Sequence, residues 1–170
     1  MIALFALGLT NFAKWAADRE LRAVPQVDLQ RYTGTWYEVA RYANRFQRSC
    51  NRDTTATYTL RDDGKIKVVN ACRTKQGNLK KIEGTARIAD RTSNAKLKVT
   101  FFWPFYGNYW IIDLDPEYKY AVVGEPSRKY LWILSRTPAM SDAQYEQITR
   151  KIAGTGYDPS KLMRTRQSGE

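Results

Sequence analysis

The chain has 170 residues, about the size of one domain, and a domain of this length buries roughly 70% of the surface that its unfolded chain would expose. Lys and Arg number 28 against 17 Asp and Glu, so the net charge of +11 predicts attraction to an anionic molecule or surface. Histidine is absent, which removes the commonest general base and nearly every transition-metal site. Composition therefore argues against catalysis, and we predict neither a metal nor a cofactor.

The first residues contain a short apolar run from Ile2 to Leu9, with no basic residue before it and no small-x-small cleavage site behind it. The run is too short to span a bilayer. It is compatible with an incomplete signal peptide, a membrane-surface anchor or an N-terminal helix. No lipobox-like cysteine accompanies it, so a lipid anchor of the lipoprotein type is not supported.

Eight runs rich in Val, Ile, Thr, Tyr, Phe and Trp follow, separated by turn residues such as Asp62-Asp63-Gly64. Strands at this spacing predict a sandwich or a barrel. The predicted strands cover residues 35–42, 54–60, 65–72, 83–89, 96–102, 109–114, 119–123 and 130–135. One helix comes next, because Ser141 and Gln144 form a capping box, Ile148 and Ile152 share a stripe and Gly154 supplies a stop. With one apolar face, it should pack on the outside of the sheet.

Alternation along the first strand puts Trp36, Glu38 and Ala40 on one face. Lys65 and Lys67 must face water, so the alternating residues Ile66 and Val68 face inward. Glu38 is the odd member of an inner face, and a buried carboxylate needs a partner. We therefore expect Glu38 to bond an inward Tyr, Asn or Arg.

Three blocks in order carry a family resemblance: GTWYEV at Gly34–Val39, DLDPEY at Asp113–Tyr118 and LWILSRTP at Leu131–Pro138. With these blocks the chain resembles the lipocalins from Val27 to about Met163, and within them the bacterial lipocalins related to apolipoprotein D. The resemblance implies an all-β fold: an eight-stranded antiparallel up-and-down β-barrel with one C-terminal α-helix packed outside. It implies that Gly34, Trp36 and Arg136 are fold determinants at the closed end.

The resemblance also implies a function, which is binding and transport or storage of a fatty acid or lysophospholipid in a bacterial cell envelope, in the periplasm or at the outer membrane. We expect residues 1–24 to be an N-terminal segment and linker, residues 25–167 the lipocalin domain and residues 168–170 a tail. Expected partners are a small hydrophobic or lipid ligand and a membrane surface but no nucleic acid, and the protein should be a monomer or weak dimer. The predicted ligand-binding residues are Ala40, Ala56, Tyr58, Val68, Val99, Phe101, Tyr109, Ala121, Tyr130 and Trp132.

In such a barrel the odd-numbered connections lie at the open mouth. The fifth connection lies within FFWPFYGNYW, seven aromatic residues in ten, so Trp103, Phe105 and Tyr106 should rim the opening. They would either gate a ligand or enter a membrane interface, or else fold back and cap the core. Arg45 and Arg48 belong to a basic rim that suits the anionic end of an amphiphile, although such charges are often only solvated.

The two cysteines, Cys50 and Cys72, lack CxxC spacing and are too few for a zinc site. Composition leaves open a disulfide, which belongs in an oxidising compartment, or two reduced thiols. Folding the hairpin about Asp62-Asp63-Gly64 brings Cys72 opposite Asp53, three residues from Cys50, so we predict that they bridge.

Two other functions compete with the carrier. A few lipocalins are isomerases with a cavity thiol, a role imaginable for either cysteine, and positive charge with interleaved aromatics also suits a single-strand nucleic-acid binder. The predicted position of both cysteines outside the cavity opposes the first, and the strand count and the three blocks oppose the second. Haem is disfavoured because no axial histidine is present.

Overall fold

The computed structural model describes residues 20–168. The apolar run at Ile2–Leu9, and with it the proposed signal or anchor, lies outside the described residues. Within the described part, no helix has the length and apolar character needed to cross a membrane.

Eight antiparallel strands close into an up-and-down barrel. Each strand pairs with the next in sequence, and the first strand also pairs with the eighth, which completes the circle. This confirms the predicted fold. The strands are β1 Gly34–Tyr42, β2 Arg52–Leu60, β3 Ile66–Arg73, β4 Leu79–Ile88, β5 Lys96–Phe102, β6 Phe105–Leu114, β7 Tyr120–Gly124 and β8 Leu131–Ser135, with a short outer strand β9 at Leu162–Arg164.

The end of the barrel where β1 begins is closed by the chain that precedes it. A short helix, α1 at Leu29–Tyr32, is capped by Asp28, whose carboxylate accepts hydrogen bonds from two backbone N–H groups. The Val27 N–H donates to Ser93 O at 2.7 Å, and the Asp28 N–H donates to the Tyr118 hydroxyl at 2.8 Å. These bonds tie the segment across two of the closed-end turns, so it seals this end.

The second helix, α2 at Asp142–Ala153, packs on the outer wall as predicted. Ser141 caps it, and its buried residues Ile148 and Ile152 contact an apolar cluster that includes Val122 and Ile133. A separate apolar cluster lies inside the barrel. The domain therefore has two cores, one on each side of the wall formed by β7, β8 and β1.

A β-bulge in β1 overturns one prediction. Glu38 pairs with Leu134, but the next pairs are Ala40 with Ile133 and Arg41 with Trp132. One extra residue on β1 reverses the alternation beyond Glu38. The prediction that Ala40 lines the interior is wrong, because Ala40 lies in the outer cluster beneath the helix; Arg41 takes the inner position instead.

The mouth half of the barrel has a gap between β1 and β2 that the C-terminal segment fills. The β1–β2 ladder stops at the pair Tyr37 and Thr55, and β9 pairs with β1 at residues 40–42. Beyond it, Arg166 bridges to Arg52 of β2. The Gln167 side-chain amide donates to the backbone oxygens of Glu38 and Thr54, at 2.8 and 3.0 Å. Residues 162–168, here named the C-terminal seam, thus join β1 and β2 in the mouth half, where the two strands do not pair directly.

Candidate ligand-binding site

The closed end is built around Trp36. Its indole is 0% exposed, and its Nε1 donates to Tyr32 O at 2.9 Å. The Arg136 guanidinium lies 3.8 Å from the ring centroid, a cation–π contact, and donates to the backbone oxygens of Thr35 and Arg31. Gly34 has a φ of +91°, and a Cβ there would lie 3.3 Å from Arg136 Nη1. The three proposed fold determinants therefore contact one another away from the mouth.

Three tyrosine hydroxyls form the floor of the interior. Tyr109 Oη lies 2.8 Å from Tyr32 Oη and 2.9 Å from Tyr58 Oη. Burial raises the pKa of Tyr58 to about 12 and also raises the pKa values of Tyr32 and Tyr109. The three hydroxyls are consequently neutral at physiological pH, and that of Tyr109 is hydrogen-bonded to the other two.

The ten predicted ligand-site residues fall into three groups. Tyr58, Val68 and Ala121 are buried in the filled half of the interior, near the closed end. Ala40 is outside the barrel. The other six lie on the inner face and are only partly buried; they are Ala56, Val99, Phe101, Tyr109, Tyr130 and Trp132.

Phe101 owes its position to a glycine that sequence reasoning missed. A Cβ at Gly84 would lie 2.6 Å from the Phe101 ring and 2.5 Å from Thr100 O. Only glycine lets β4 and this ring approach so closely. Tyr130 and Trp132, stacked at 5.9 Å between centroids, form the facing wall.

A polar cluster lies on the inner side of β1, around the Glu38 carboxylate. Glu38 is 3% exposed; its Oε1 accepts from Arg41 Nη1 at 3.0 Å and from the Thr165 hydroxyl. Its Oε2 accepts from the Gln47 amide, whose oxygen accepts from Trp132 Nε1 at 3.0 Å. The expectation that Glu38 has a partner is confirmed. Sequence reasoning missed Gln47, since it lies in a mouth connection with no local signal of an inward side chain.

The aromatic connection at the mouth is exposed. Strands β5 and β6 extend to Phe102 and Phe105, so Trp103-Pro104 alone joins them. Phe102, Trp103 and Phe105 are 71%, 81% and 77% exposed, and Tyr106 is 41% exposed. The alternative in which these rings fold back onto the core is therefore wrong.

Cationic side chains surround the same opening. The exposed residues Arg45, Arg48, Lys75, Lys81 and Lys129 lie on or beside mouth connections, and none forms an ion pair within residues 20–168. The closed-end turns hold a set of acidic residues, which are Asp62, Asp63, Asp90, Asp115 and Glu117. The net positive charge is thus concentrated where the barrel opens.

Cys50 and Cys72 form a disulfide, with Cα atoms 5.5 Å apart. The bond joins the first mouth connection to the end of β3. The predicted bridge is confirmed, and the open alternative of two reduced thiols is wrong.

Comparison with known proteins decides the family. The sequence profile of the lipocalin-like domain matches residues 27–167. The chain is a lipocalin. This lipocalin is 44% identical to temperature-induced lipocalin-1 of Arabidopsis thaliana over 158 residues, which cover 88% of this chain and 84% of the relative. It is also 44% identical to the outer membrane lipoprotein Blc of Escherichia coli (strain K12), over 89% of this chain and 85% of that protein.

Apolipoprotein D of Macaca fascicularis is a more distant relative of the lipocalin, 31% identical over 82% of this chain and 77% of that protein. The resemblance to bacterial lipocalins and apolipoprotein D is thereby confirmed. Among solved structures, insecticyanin from Manduca sexta aligns with a TM-score of 0.72 at 23% identity, over 89% of this chain and 86% of that one. That likeness shows the fold. Membership of the family supports binding of a small hydrophobic molecule.

Proposed function

We propose that this lipocalin binds a fatty acid or lysophospholipid inside its barrel and carries or stores it in the cell envelope. The observation that carries the proposal is a difference in burial along the inner face. Trp36, Tyr58 and Val68 are buried, whereas other apolar side chains on the inner face, such as Val99, Phe101 and Trp132, keep accessible surface. An eight-stranded barrel has room for about one small ligand.

The two ends of the ligand would meet different environments, an apolar one inside the barrel and a basic one at its mouth. An acyl chain would lie between Val99, Phe101 and Trp132, where burial contributes roughly 0.8 kcal/mol per methylene. An anionic head would lie at the mouth, near Arg45 and Arg48, whose guanidinium groups pair well with carboxylate or phosphate. The direction of the charge gradient thus sets the direction of insertion.

Two observations support the envelope location. The Escherichia coli relative is named an outer membrane lipoprotein. The Cys50–Cys72 disulfide suits an oxidising compartment such as the periplasm. The same disulfide occupies both cysteines of the chain, so neither supplies the free thiol that the enzymatic alternative requires. A binding protein is therefore the function that the site supports.

The carrier proposal predicts about one retained lipid per chain when the purified protein is analysed by native mass spectrometry and its extract by lipid identification. Filling the interior with Ala56→Trp should lower affinity for a fatty acid at least about tenfold, because the ring occupies the volume of the acyl chain. Thr59→Trp, three residues along the same strand and exposed on the outer face, is the matched control. A protein that retains no lipid and takes none up on incubation would rule out the carrier.

The exposed hairpin predicts contact with a membrane surface during loading or delivery. Aromatic rings favour the interface, and the surrounding cations favour anionic headgroups. Changing Phe102, Trp103 and Phe105 together to Ser should weaken binding to phosphatidylglycerol-containing vesicles by roughly 100-fold, since each ring contributes on the order of 1 kcal/mol. Cosedimentation measures this, with phosphatidylcholine vesicles as the charge control. Equal vesicle binding by the triple variant and the unchanged protein would show that the hairpin does not contact the membrane.

A further inference from the structure

A row of three polar side chains crosses the outer face of β4, β5 and β6. Strand register places Arg87 of β4 directly opposite Lys98 of β5, and Lys98 directly opposite Asn108 of β6. Leu97 is 0% exposed and belongs to the inner cluster, so alternation turns Lys98 and its two partners outward. These three residues are here named the outer row.

The two cations of the outer row have no anionic partner in the described part of the chain. Neither Arg87 nor Lys98 forms an ion pair within residues 20–168. Glu83, the outward-facing acidic residue of β4, pairs with Lys67 at 2.9 Å instead. Like charges directly opposite each other on adjacent strands are destabilising. An anionic group bound across both cations would remove this repulsion.

Tyr106 connects the outer row to the exposed tip of the β5–β6 hairpin. The Arg87 guanidinium lies 4.7 Å from the centroid of the Tyr106 ring, a cation–π contact that orients the guanidinium and leaves its charge in place. Tyr106 is partly exposed, and beyond it the side chains of Phe102, Trp103 and Phe105 are largely exposed. Along this hairpin the outer surface therefore changes from cationic to apolar toward the tip.

This gradient suits a bilayer surface better than a small anion or a nucleic acid. The outer row lies on the convex side of the barrel, so it cannot enclose a small ligand. Single-stranded nucleic acids are held in grooves that follow their backbone, and a convex wall offers no groove. An amphipathic protein surface, by contrast, binds a membrane with its cations among the headgroups and its apolar side chains at the acyl boundary.

We propose that the outer row binds phosphates of an anionic bilayer while the hairpin tip enters the interface, so that the barrel lies inclined on the wall formed by β4, β5 and β6. The inference rests on the membrane contact put forward with the proposed function and gives that contact an orientation. Asn108 lies about 13 Å from Pro104 at the tip, at the rise of a β-strand. Interfacial side chains reach only roughly 5–10 Å below the surface, so an upright hairpin would hold the row above the phosphates.

The first test removes both charges with Arg87→Gln and Lys98→Gln together. Binding to phosphatidylglycerol-containing vesicles should weaken about 30-fold, which corresponds to ~2 kcal/mol for two cations near an anionic surface. Affinity for a fatty acid in solution should stay the same, because both residues lie outside the barrel. Arg150→Gln with Lys161→Gln is the control for net charge, since Arg150 lies on α2 and Lys161 in the turn packed against it, and both are exposed. This control should keep its vesicle binding within about threefold.

The second test measures orientation with a fluorophore on one introduced cysteine, since the natural cysteines are joined in the disulfide. Thr85→Cys places it on the outer face of β4, two residues from Arg87. Gln147→Cys places it on the exposed face of α2, on the opposite wall. Lipids that carry a spin label on the headgroup should quench the fluorophore at position 85 and leave the one at position 147 bright. A barrel that stands upright on its mouth would leave both bright.

The outcomes separate this proposal from the carrier. Equal vesicle binding by the Arg87 and Lys98 double variant and the unchanged protein overturns the outer row, and so does quenching at both positions or at neither. If the unchanged protein binds no vesicles, the membrane contact is overturned as a whole, while fatty-acid titration still decides the carrier. Binding of a single-stranded oligonucleotide that requires the outer row, without vesicle binding, would assign the wall to nucleic acid and overturn the proposal.

Discussion

Replacing Trp36 with alanine is expected to lower the free energy of unfolding by about 3–5 kcal/mol. The indole is fully buried, so the change leaves a large cavity at the closed end. It also leaves the Tyr32 carbonyl without its Nε1 donor and the Arg136 guanidinium without the ring beneath it. Urea unfolding followed by far-ultraviolet circular dichroism measures the loss.

Trp103→Ala is the control for this change, because Trp103 is 81% exposed on the hairpin. It should alter the free energy of unfolding by no more than about 0.5 kcal/mol, as surface substitutions usually do. Trp36→Phe separates the lost volume from the lost hydrogen bond. Should Trp36→Ala destabilise no more than Trp103→Ala, the closed end is not held by this residue.

Removing the disulfide with Cys50→Ala and Cys72→Ala together is expected to cost about 3 kcal/mol, because the bond closes a loop of roughly 23 residues and restricts the unfolded chain. The Asn51 N–H still donates to Arg73 O at 2.8 Å, so the strand ends should remain adjacent. We therefore expect lower stability with an unchanged barrel. Urea midpoints of both proteins, with and without reductant, provide the measurement.

Reductant should bring the midpoint of the natural protein down to that of the double variant and leave the variant unaffected. A midpoint insensitive to full reduction, with alkylation confirmed by mass, would show that the bond contributes nothing to stability.

Local patterns predicted most of the strands because the physical causes are local, whereas the choice of a barrel over a sandwich came from the family resemblance. Alternation, turn residues and the capping box at Ser141 each act over a few positions, and they located eight strands and the outer helix. The failure at Ala40 has a tertiary cause. The bulge after Glu38 depends on the pairing of β1 with β8, and no residue type in β1 indicates it in the sequence.

The candidate site was predicted less completely. Glu38 was noticeable because a carboxylate on an apolar face is rare. Gln47 and Thr165, by contrast, are ordinary polar residues, and only the tertiary fold brings them to the Glu38 carboxylate. Without the bulge, alternation turns Arg41 outward, so its inner position could not be predicted from the sequence. The exposure of the rings around Trp103 depends on how the tip of the β5–β6 hairpin packs against its neighbours, which the sequence does not specify.

The C-terminal seam determines when the gap between β1 and β2 can close during synthesis and folding. Its bonds to Glu38 and Thr54 span 127, 129 and 113 positions of the chain. Contacts over such separations carry a large entropic cost of loop closure, which slows their formation. Until residues 162–168 have been synthesised, the mouth halves of β1 and β2 are free sheet edges, open to pairing with other chains. The mouth half of the barrel therefore cannot close between β1 and β2 before this segment has been synthesised, and until then both edges are open to aggregation.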